Sequence, residues 1–187
     1  METAIQKSVD ALRRGQTLLY PTDTVWGLGC DATNAEAVGQ LYALKQRDPS
    51  RAMLILAAPE WVPPDNPAGA LLHSAERPTT VVMPASLLPF GNRLATNLLA
   101  ADGTVGVRLP KGSPFCLALL QAYGLPVVST SANLSGKPPA ATRSEIAPAL
   151  VAAVGYAVPA EAGNLGTNAP SRIVRLENDG SITILRP

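Results

Sequence analysis

The stretch PVVSTSANLSG, residues 126–136, joins a short apolar run directly to a polar loop. The apolar half predicts a buried strand, because β-branched residues bounded by Pro and by turn-forming residues favour strands. The polar half places four hydroxyl groups and one amide at the strand end, where open α/β sheets build ligand sites. Hydroxyl and backbone donors here can hold a phosphate group, and a loop capped by its own Ser and Asn side chains is the alternative.

Two further segments place polar side chains beside apolar strands. The segment YPTDTVWGLG, residues 20–29, follows a strand predicted at 17–20 that ends at Pro21. Its threonines and aspartate are typical of a ligand site, and equally of a turn capped by Asp and Thr. Arg108 lies in a strand predicted at 104–109, and an arginine in an apolar strand needs an anionic partner or water. A carboxylate ligand and an internal ion pair are the two candidate partners.

A group of cations, Lys45, Arg47 and Arg51, follows the helix predicted at 34–46. Cations at the C-terminal end of a helix complement the helix dipole. They can also bind phosphate oxygens, Arg through a fixed fork of donors and Lys as a point charge. The spacing leaves both interpretations open.

Hydrophobic periodicity and turn residues predict roughly seven strands and four helices. Helices are predicted before Gly15 and at 34–46, 113–123 and 144–154, and strands at 17–20, 53–56, 79–83, 104–109, 126–129, 173–176 and 181–185, with a strand-like segment at 156–158. Residues 57–70, 130–142 and 160–170 are predicted loops, and 84–103 show no clear periodicity. The Asn178-Asp179-Gly180 turn predicts a hairpin between the last two strands. This order of elements predicts one domain over residues 1–187, of α/β (α+β) class, with a single mixed β-sheet and flanking helices.

Composition restricts the classes of function. The 187 residues are 47% hydrophobic, which predicts a packed globule, and a formal net charge of +1 argues against a general nucleic-acid coat. Cys30 and Cys116 are far apart and His73 is the only histidine, so no zinc-binding pattern is present. The N-terminus lacks the apolar run of a signal peptide, and no segment reaches the ~18 apolar residues of a membrane span. We therefore expect a cytoplasmic protein with no membrane partner.

The four polar segments resemble a known family. The sequence contains no Walker phosphate loop and no strand followed by G-x-G-x-x-G, so a bound nucleotide must be held in another way. The segments occur in the order and approximate spacing of the YrdC/TsaC family, whose recognition mark is a K-x-R element together with S-x-N. Nearly the whole chain takes part in the resemblance. It implies a twisted sheet around a large, positively charged concave cavity, in the short, single-domain bacterial form.

The resemblance also implies an activity, because the members of this family are threonylcarbamoyl-AMP synthases. L-threonine, bicarbonate and ATP would give threonylcarbamoyl-adenylate, pyrophosphate and water, with Mg²⁺ held mainly by the ATP phosphates and no permanently bound cofactor. The product would pass to a tRNA threonylcarbamoyl-transferase complex of the TsaD/TsaB/TsaE type, which modifies the adenosine beside the anticodon. Direct contact with tRNA stays open. Such a reaction needs charge neutralisation and alignment more than a protein nucleophile.

Individual side chains receive roles from the same resemblance. The ATP-binding residues would be Lys45, Arg47, Arg51, Thr104, Ser131, Asn133 and Arg186. Within that set Lys45, Arg47, Ser131 and Asn133 would be catalytic. The threonine-binding residues would be Thr24, Arg108, Ser129 and Ser171, with Arg108 facing the amino-acid carboxylate.

Three stretches depart from the family pattern: Arg51-Ala52-Met53, Glu76-Arg77-Pro78 and Arg172. None of them removes a central cation. Two other classes of function stay open, a non-catalytic RNA-binding module and a nucleotide-sensing regulatory subunit. Aromatic residues are only 4% of the chain, which argues against a dedicated RNA binder because base stacking needs exposed aromatic rings.

Overall fold

The computed structural model describes residues 1–140, 142–162, 166–167, 169–177 and 179–187. Its helices are α1 (Glu2–Arg13), α2 (Ala35–Lys45), α3 (Gly69–Ser74), α4 (Pro114–Tyr123) and α5 (Pro148–Ala153). Its strands are β1 (Leu18–Tyr20), β2 (Gly27–Gly29), β3 (Leu54–Leu56), β4 (Thr79–Pro84), β5 (Thr104–Arg108), β6 (Val127–Ser131), β7 (Tyr156–Ala157), β8 (Arg172–Leu176) and β9 (Ile182–Arg186).

The described strands form one mixed sheet of nine strands in the order β7-β1-β2-β6-β3-β5-β4-β8-β9. Strand β6 joins the two halves of the sheet, because it pairs antiparallel with β2 on one side and with β3 on the other. This pairing places Ser131 opposite Gly27 and Ser129 opposite Leu54. Strands β3 and β5 are parallel, as are β4 and β8. The prediction of a mixed α/β fold with flanking helices is confirmed.

Helix α1 packs against α4 and buries one face. Ile5, Val9 and Leu12 recur at helical spacing and are 9%, 2% and 1% exposed. Full burial of a side chain of this kind stabilises the fold by about 1.5–3 kcal/mol. Burial of this apolar face therefore anchors α1 to the rest of the domain.

The start of α2 is fixed by the N-cap that the sequence predicts, and its end by a left-handed residue that was not predicted. The Oδ1 atom of Asn34 accepts a hydrogen bond from the backbone N of Ala37 at 3.1 Å. Such an N-cap stabilises a helix by about 1 kcal/mol. The helix ends at Gln46, whose φ of 50° lies in the left-handed region and turns the chain away from the axis. Lys45 is consequently the last helical residue, and its side chain is buried.

Strand β2 was not predicted, because its two glycines have low strand propensity and suggested a turn. Pairing with β1 on one side and β6 on the other holds these residues extended. An added Cβ on Gly29 would lie 2.3 Å from the carbonyl oxygen of Val128, so only glycine fits this close approach. Strand β6 also continues to Ser131, beyond its predicted end at residue 129.

Two helices differ from the prediction. Helix α3 was not predicted, and its first two residues lie in the Pro-rich stretch 57–70 that was predicted as a loop. The helix predicted from Ser144 begins instead at Pro148, and a 3₁₀ turn occupies Arg143–Glu145. A residue that precedes proline avoids the helical region, and Ala147 accordingly has a ψ of 127°. The hairpin between β8 and β9 is present, although Asn178 of its predicted turn lies outside the described residues.

Candidate active site

A cavity of about 330 Å³ opens over the middle strands of the sheet. Among the described residues that line it, no side chain is a carboxylate and four are cationic: Arg47, Arg108, Lys137 and Arg186. Its hydroxyl groups belong to Thr22, Thr24, Thr80, Ser129, Thr130, Ser131 and Ser171. The positively charged cavity that the sequence predicted is therefore present. Its charge and its hydrogen-bond donors favour a ligand that carries phosphate or carboxylate groups.

Two glycines form part of the lining and keep it open. Gly106 lies on the same face of β5 as Arg108, by the alternation of a strand. An added Cβ on Gly106 would lie 3.0 Å from Cγ2 of Thr80 and 3.3 Å from Cβ of Leu54. Gly27 of β2 lines the cavity in the same way. Larger side chains at these positions would occupy space that a ligand needs.

Lys45 is buried beneath one wall of the cavity and does not line it. Its side chain is almost fully buried, and its Nζ donates hydrogen bonds to the carbonyl oxygens of Ser131 at 2.5 Å and Asn133 at 2.7 Å. Burial lowers the pKa of Lys45 to about 8, and the nearby charge of Arg47 adds to this effect. The backbone N of Ser135 donates in return to the carbonyl oxygen of Lys45 at 3.0 Å. Lys45 thus ties the end of α2 to the loop that follows β6.

Arg108 forms a buried ion pair that the sequence left as one of two alternatives. Its Nη2 lies 3.1 Å from Oδ1 of Asp23, and the two side chains are only 5% and 3% exposed. Among the described residues, neither Nε of Arg108 nor Oδ1 of Asp23 has a partner with hydrogen-bond geometry. Burial raises the pKa of Asp23, while the charge of Arg108 opposes this rise. Arg108 still lines the cavity, so its remaining donors are available to a ligand.

The ion pair separates two cavities. Arg108 lines the large cavity, whereas Asp23 lines a second one of about 210 Å³. The departure at Glu76-Arg77-Pro78 belongs to the lining of this second cavity and not to that of the large one. Asp23 therefore holds the guanidinium of Arg108 from the side of the second cavity.

A chain of hydrogen bonds brings the last strand to the cavity. Arg186 of β9 donates from Nε and Nη2 to the carbonyl oxygen of Ser171, at 3.0 Å and 2.7 Å. The hydroxyl of Ser171 in turn lies 2.8 Å from the hydroxyl of Thr80. Burial lowers the pKa of Arg186, with a further contribution from the charge of Arg108. These contacts hold two cations on the same wall against their mutual repulsion.

Arg47 stabilises the turn in which the chain departs from the family pattern. Its Nε donates to the carbonyl oxygen of Arg51 at 2.9 Å, and its Nη2 donates to that of Ala52 at 3.0 Å. Burial is the main cause that lowers the pKa of Arg47. Arg51 itself is exposed and does not line the cavity. The side chain of Arg47 thus lines the cavity while its guanidinium orders the following residues.

The sequence matches a family model over most of its length. The model describes the Sua5/YciO/YrdC family under the heading "Telomere recombination", and it matches residues 10–187. The chain belongs to this family. The resemblance drawn from the four polar segments is confirmed.

Several relatives in the Sua5/YciO/YrdC family are threonylcarbamoyl-AMP synthases. The synthase of Stenotrophomonas maltophilia (strain K279a) is 35% identical over 180 residues, which cover 91% of this chain and 94% of the relative. The synthase of Chromohalobacter salexigens is 38% identical over 182 residues, which cover 95% and 96%. The similarity therefore extends over nearly the full length of these relatives.

Solved structures give the same family. Sua5 of P. abyssi, solved in complex with L-threonine, has a TM-score of 0.77 and 26% identity, and the match covers 98% of this chain and 53% of that one. YciO of E. coli also has a TM-score of 0.77, at 23% identity, over 100% of this chain and 89% of that one, and this match supports the fold alone.

The structure brings most of the residues implied by the family resemblance to one cavity. The lining includes Thr24, Arg47, Arg108, Ser129, Ser131, Asn133, Ser171 and Arg186, and it does not include Lys45, Arg51 or Thr104. Thr104 lies at the opposite end of β5 from Arg108, and its hydroxyl donates to Oδ1 of Asp102 at 2.6 Å. No individual role was predicted for Asp23 or Lys137. An anionic partner was expected for Arg108, because an arginine in an apolar strand needs one. That partner is Asp23, which belongs to the segment 20–29.

Within the described residues, no group of three or more His, Cys, Asp or Glu side chains could hold a metal ion. Among the same residues, no helix has both the length and the apolar character needed to cross a membrane.

Proposed function

We propose that this protein is a threonylcarbamoyl-AMP synthase, which converts L-threonine, bicarbonate and ATP to threonylcarbamoyl-adenylate, pyrophosphate and water. The observation that carries the proposal is the cavity with four cations and no carboxylate among its described lining residues. Its occurrence in a chain 35–38% identical to full-length synthases supports the same activity.

The charge of the cavity suits these substrates. ATP brings a triphosphate and threonine brings a carboxylate, and both need cationic partners when they leave water. The threonine amine would first combine with bicarbonate to give N-carboxy-threonine and water. The carboxylate formed in this way would then attack the α-phosphorus of ATP, and the bond from that phosphorus to pyrophosphate would break. Such a transfer is accelerated mainly by alignment and charge neutralisation, which arginine side chains supply. The lining contains neither His nor Cys among its described residues, in agreement with a reaction that needs no protein nucleophile.

The two substrates would contact different residues of the lining. Arg108 would bind the threonine carboxylate, and the hydroxyl groups of Thr24, Ser129 and Ser171 would contact the rest of the amino acid. Arg47, Ser131, Asn133 and Arg186 would bind the nucleotide. Lys45, Arg51 and Thr104 lie outside the lining, so we assign Lys45 to positioning Ser131 and Asn133 through their carbonyl groups.

Mg²⁺ would enter as part of the substrate Mg–ATP. The described lining offers hydroxyl and amide oxygens but no carboxylate, which suits an ion held mainly by phosphate oxygens. The ion would neutralise part of the phosphate charge. The adenylate is a mixed anhydride and is reactive toward water, so we expect its direct transfer to a tRNA threonylcarbamoyl-transferase complex of the TsaD/TsaB/TsaE type, for modification of the adenosine beside the anticodon.

Pyrophosphate release by the purified protein tests the proposal. We expect release from Mg–ATP only when L-threonine and bicarbonate are both present. ATP turnover that does not depend on threonine would contradict the proposal that L-threonine is a substrate. Bound nucleotide without turnover would favour the nucleotide-sensing alternative, and salt-sensitive binding of RNA without turnover would favour the RNA-binding module.

Replacement of Arg47 by alanine should reduce kcat/KM for ATP, because the cavity loses a cation and the turn at Arg51 and Ala52 loses its hydrogen bonds. We expect a loss of about 2–5 kcal/mol of transition-state stabilisation. Steady-state pyrophosphate release measures it, and Arg93→Ala serves as the matched control because Arg93 is exposed and does not line the cavity. Near-normal turnover of the Arg47 variant would exclude Arg47 as a phosphate ligand.

A further inference from the structure

Three of the four cations among the described residues of the cavity lining are already bound to acceptors of the protein. Arg47 donates to two backbone carbonyls, Arg108 is paired with Asp23, and Arg186 donates to the carbonyl of Ser171. Each of these arginines can offer a ligand only the donors that remain. The ammonium of Lys137, by contrast, has no acceptor within the part of the chain that the structure describes, although the side chain lines the cavity.

The backbone of Lys137 is held in place while its side chain is not. Its N donates to the carbonyl oxygen of Leu134 at 3.1 Å, and its own carbonyl oxygen accepts a short hydrogen bond, 2.5 Å, from Nδ2 of Asn133. The carbonyl of Asn133 is in turn held by Nζ of Lys45. A buried lysine and an asparagine thus present a second, exposed lysine at the edge of the cavity.

The ammonium of Lys137, which has no acceptor among the described residues, suits the binding of pyrophosphate, the group that leaves the site in the proposed reaction. A lysine ammonium is a compact, strongly hydrated charge on a flexible stem, so it can follow a departing anion, whereas an arginine bound at two positions cannot. Lys137 lies in the loop that follows β6, next to Asn133, and it lines the same cavity as Ser131 and Asn133. Because Ser131 and Asn133 are assigned to the nucleotide, the anion nearest to Lys137 would be the phosphate chain of the nucleotide.

We propose that Lys137 is a further catalytic residue, which binds the β- and γ-phosphates of ATP and stabilises pyrophosphate as it departs. The inference rests on the proposed synthase function. As a carbamate oxygen forms its bond to the α-phosphorus, the bond from that phosphorus to the bridging oxygen breaks, and pyrophosphate leaves with the electron pair. Negative charge grows on the bridging oxygen in this step, and the ammonium of Lys137 neutralises it without transferring a proton.

Binding of inorganic pyrophosphate to the full chain tests the proposal, because it requires neither threonine nor bicarbonate. Calorimetry should show Lys137→Met binding Mg–pyrophosphate about tenfold to a hundredfold more weakly than the wild type, and Lys137→Arg recovering most of the loss. In the full reaction, kcat/KM for ATP should fall by a similar factor while KM for threonine stays unchanged. Lys7→Met, which removes an exposed lysine of α1, is the matched control.

The outcomes separate this inference from the proposed function. Equal pyrophosphate affinity in wild type and Lys137→Met, or no binding by either, would overturn the role of Lys137 even if the wild type makes the adenylate. Weaker binding of Mg–pyrophosphate by Lys137→Met, together with normal binding by Lys7→Met, would support the anion site. This conclusion would hold even if threonine does not stimulate pyrophosphate release. A loss of threonine affinity equal to the loss of ATP affinity would also overturn the assignment, because it would indicate a general change of the cavity.

Discussion

Replacement of Arg108 by methionine is expected to lower the free energy of unfolding by about 3–5 kcal/mol, because removal of one partner of a buried ion pair leaves an uncompensated charge. That charge would be the carboxylate of Asp23, which is nearly inaccessible to water. The same variant should need far more threonine for half-maximal rate, with a much smaller change for ATP. Denaturant unfolding and steady-state kinetics measure the two effects separately.

The double variant Asp23→Asn, Arg108→Met is the control that separates stability from binding. It contains no unpaired charge, so it should recover most of the lost stability and keep the threonine defect. Recovery of threonine affinity in the double variant would contradict the contact between Arg108 and the substrate carboxylate.

The stability of the single Arg108 variant should also depend on pH. Burial already raises the pKa of Asp23, and without Arg108 the folded-state pKa would rise further above the unfolded value. The folded protein then binds more protons than the unfolded chain, so its stability increases as pH falls. The difference from the wild type should therefore shrink as the pH falls toward the unfolded-state pKa of an aspartate, about 3.9, and a constant difference would contradict this origin of the instability.

Replacement of Lys45 by methionine is the second change with a large expected effect. It removes the Nζ donor from the part-buried carbonyls of Ser131 and Asn133. Each such group costs about 1–3 kcal/mol, so we expect a loss of about 2–5 kcal/mol in the free energy of unfolding. Catalysis should fall as well, because the loop after β6 loses the anchor that positions its polar side chains. Thermal unfolding and pyrophosphate release check the two effects.

A role of Lys45 as a direct phosphate ligand would give a different result, namely weaker ATP binding at unchanged stability. The pH dependence offers an independent check. The folded-state pKa of about 8 is below the ordinary value of 10.5, so the unfolded chain binds more protons between these values. The stability of the wild type relative to Lys45→Met should rise as the pH increases through this range, since the neutral amine still donates hydrogen bonds. A fall would contradict the desolvated state of the ammonium.

The fold was predictable wherever local sequence and tertiary structure agree. Apolar runs gave the strands that become β3, β5 and β6, and Asn34 gave the start of α2. Strand β2 was not predictable, because pairing on both of its edges overrides the low strand propensity of its glycines. Helix α3 was not predicted, because prolines precede it and favour a loop. A helix this short depends on packing more than on propensity, and packing cannot be read from the sequence.

The candidate site was predictable in its composition and not in its connections. The polar segments at the strand ends predicted residues that line the cavity. Arg108 in β5 predicted a nearby anion. Sequence spacing cannot show that the anion is Asp23, nor that Lys45 turns inward, because their partners lie far away along the chain. Only the register of β6 between β2 and β3 brings those partners together.

The position of β6 in the sheet also has a consequence for synthesis on the ribosome. Residue 27 pairs with residue 131, and residue 54 pairs with residue 129, so the first strands have no central neighbour until β6 has been made. At roughly 5–20 residues per second, the nascent chain waits roughly 5–20 s between β2 and β6 with apolar strand edges uncovered. A chain with so many distant pairings should fold slowly, and early in its life it should be a client of chaperones that cover exposed strands.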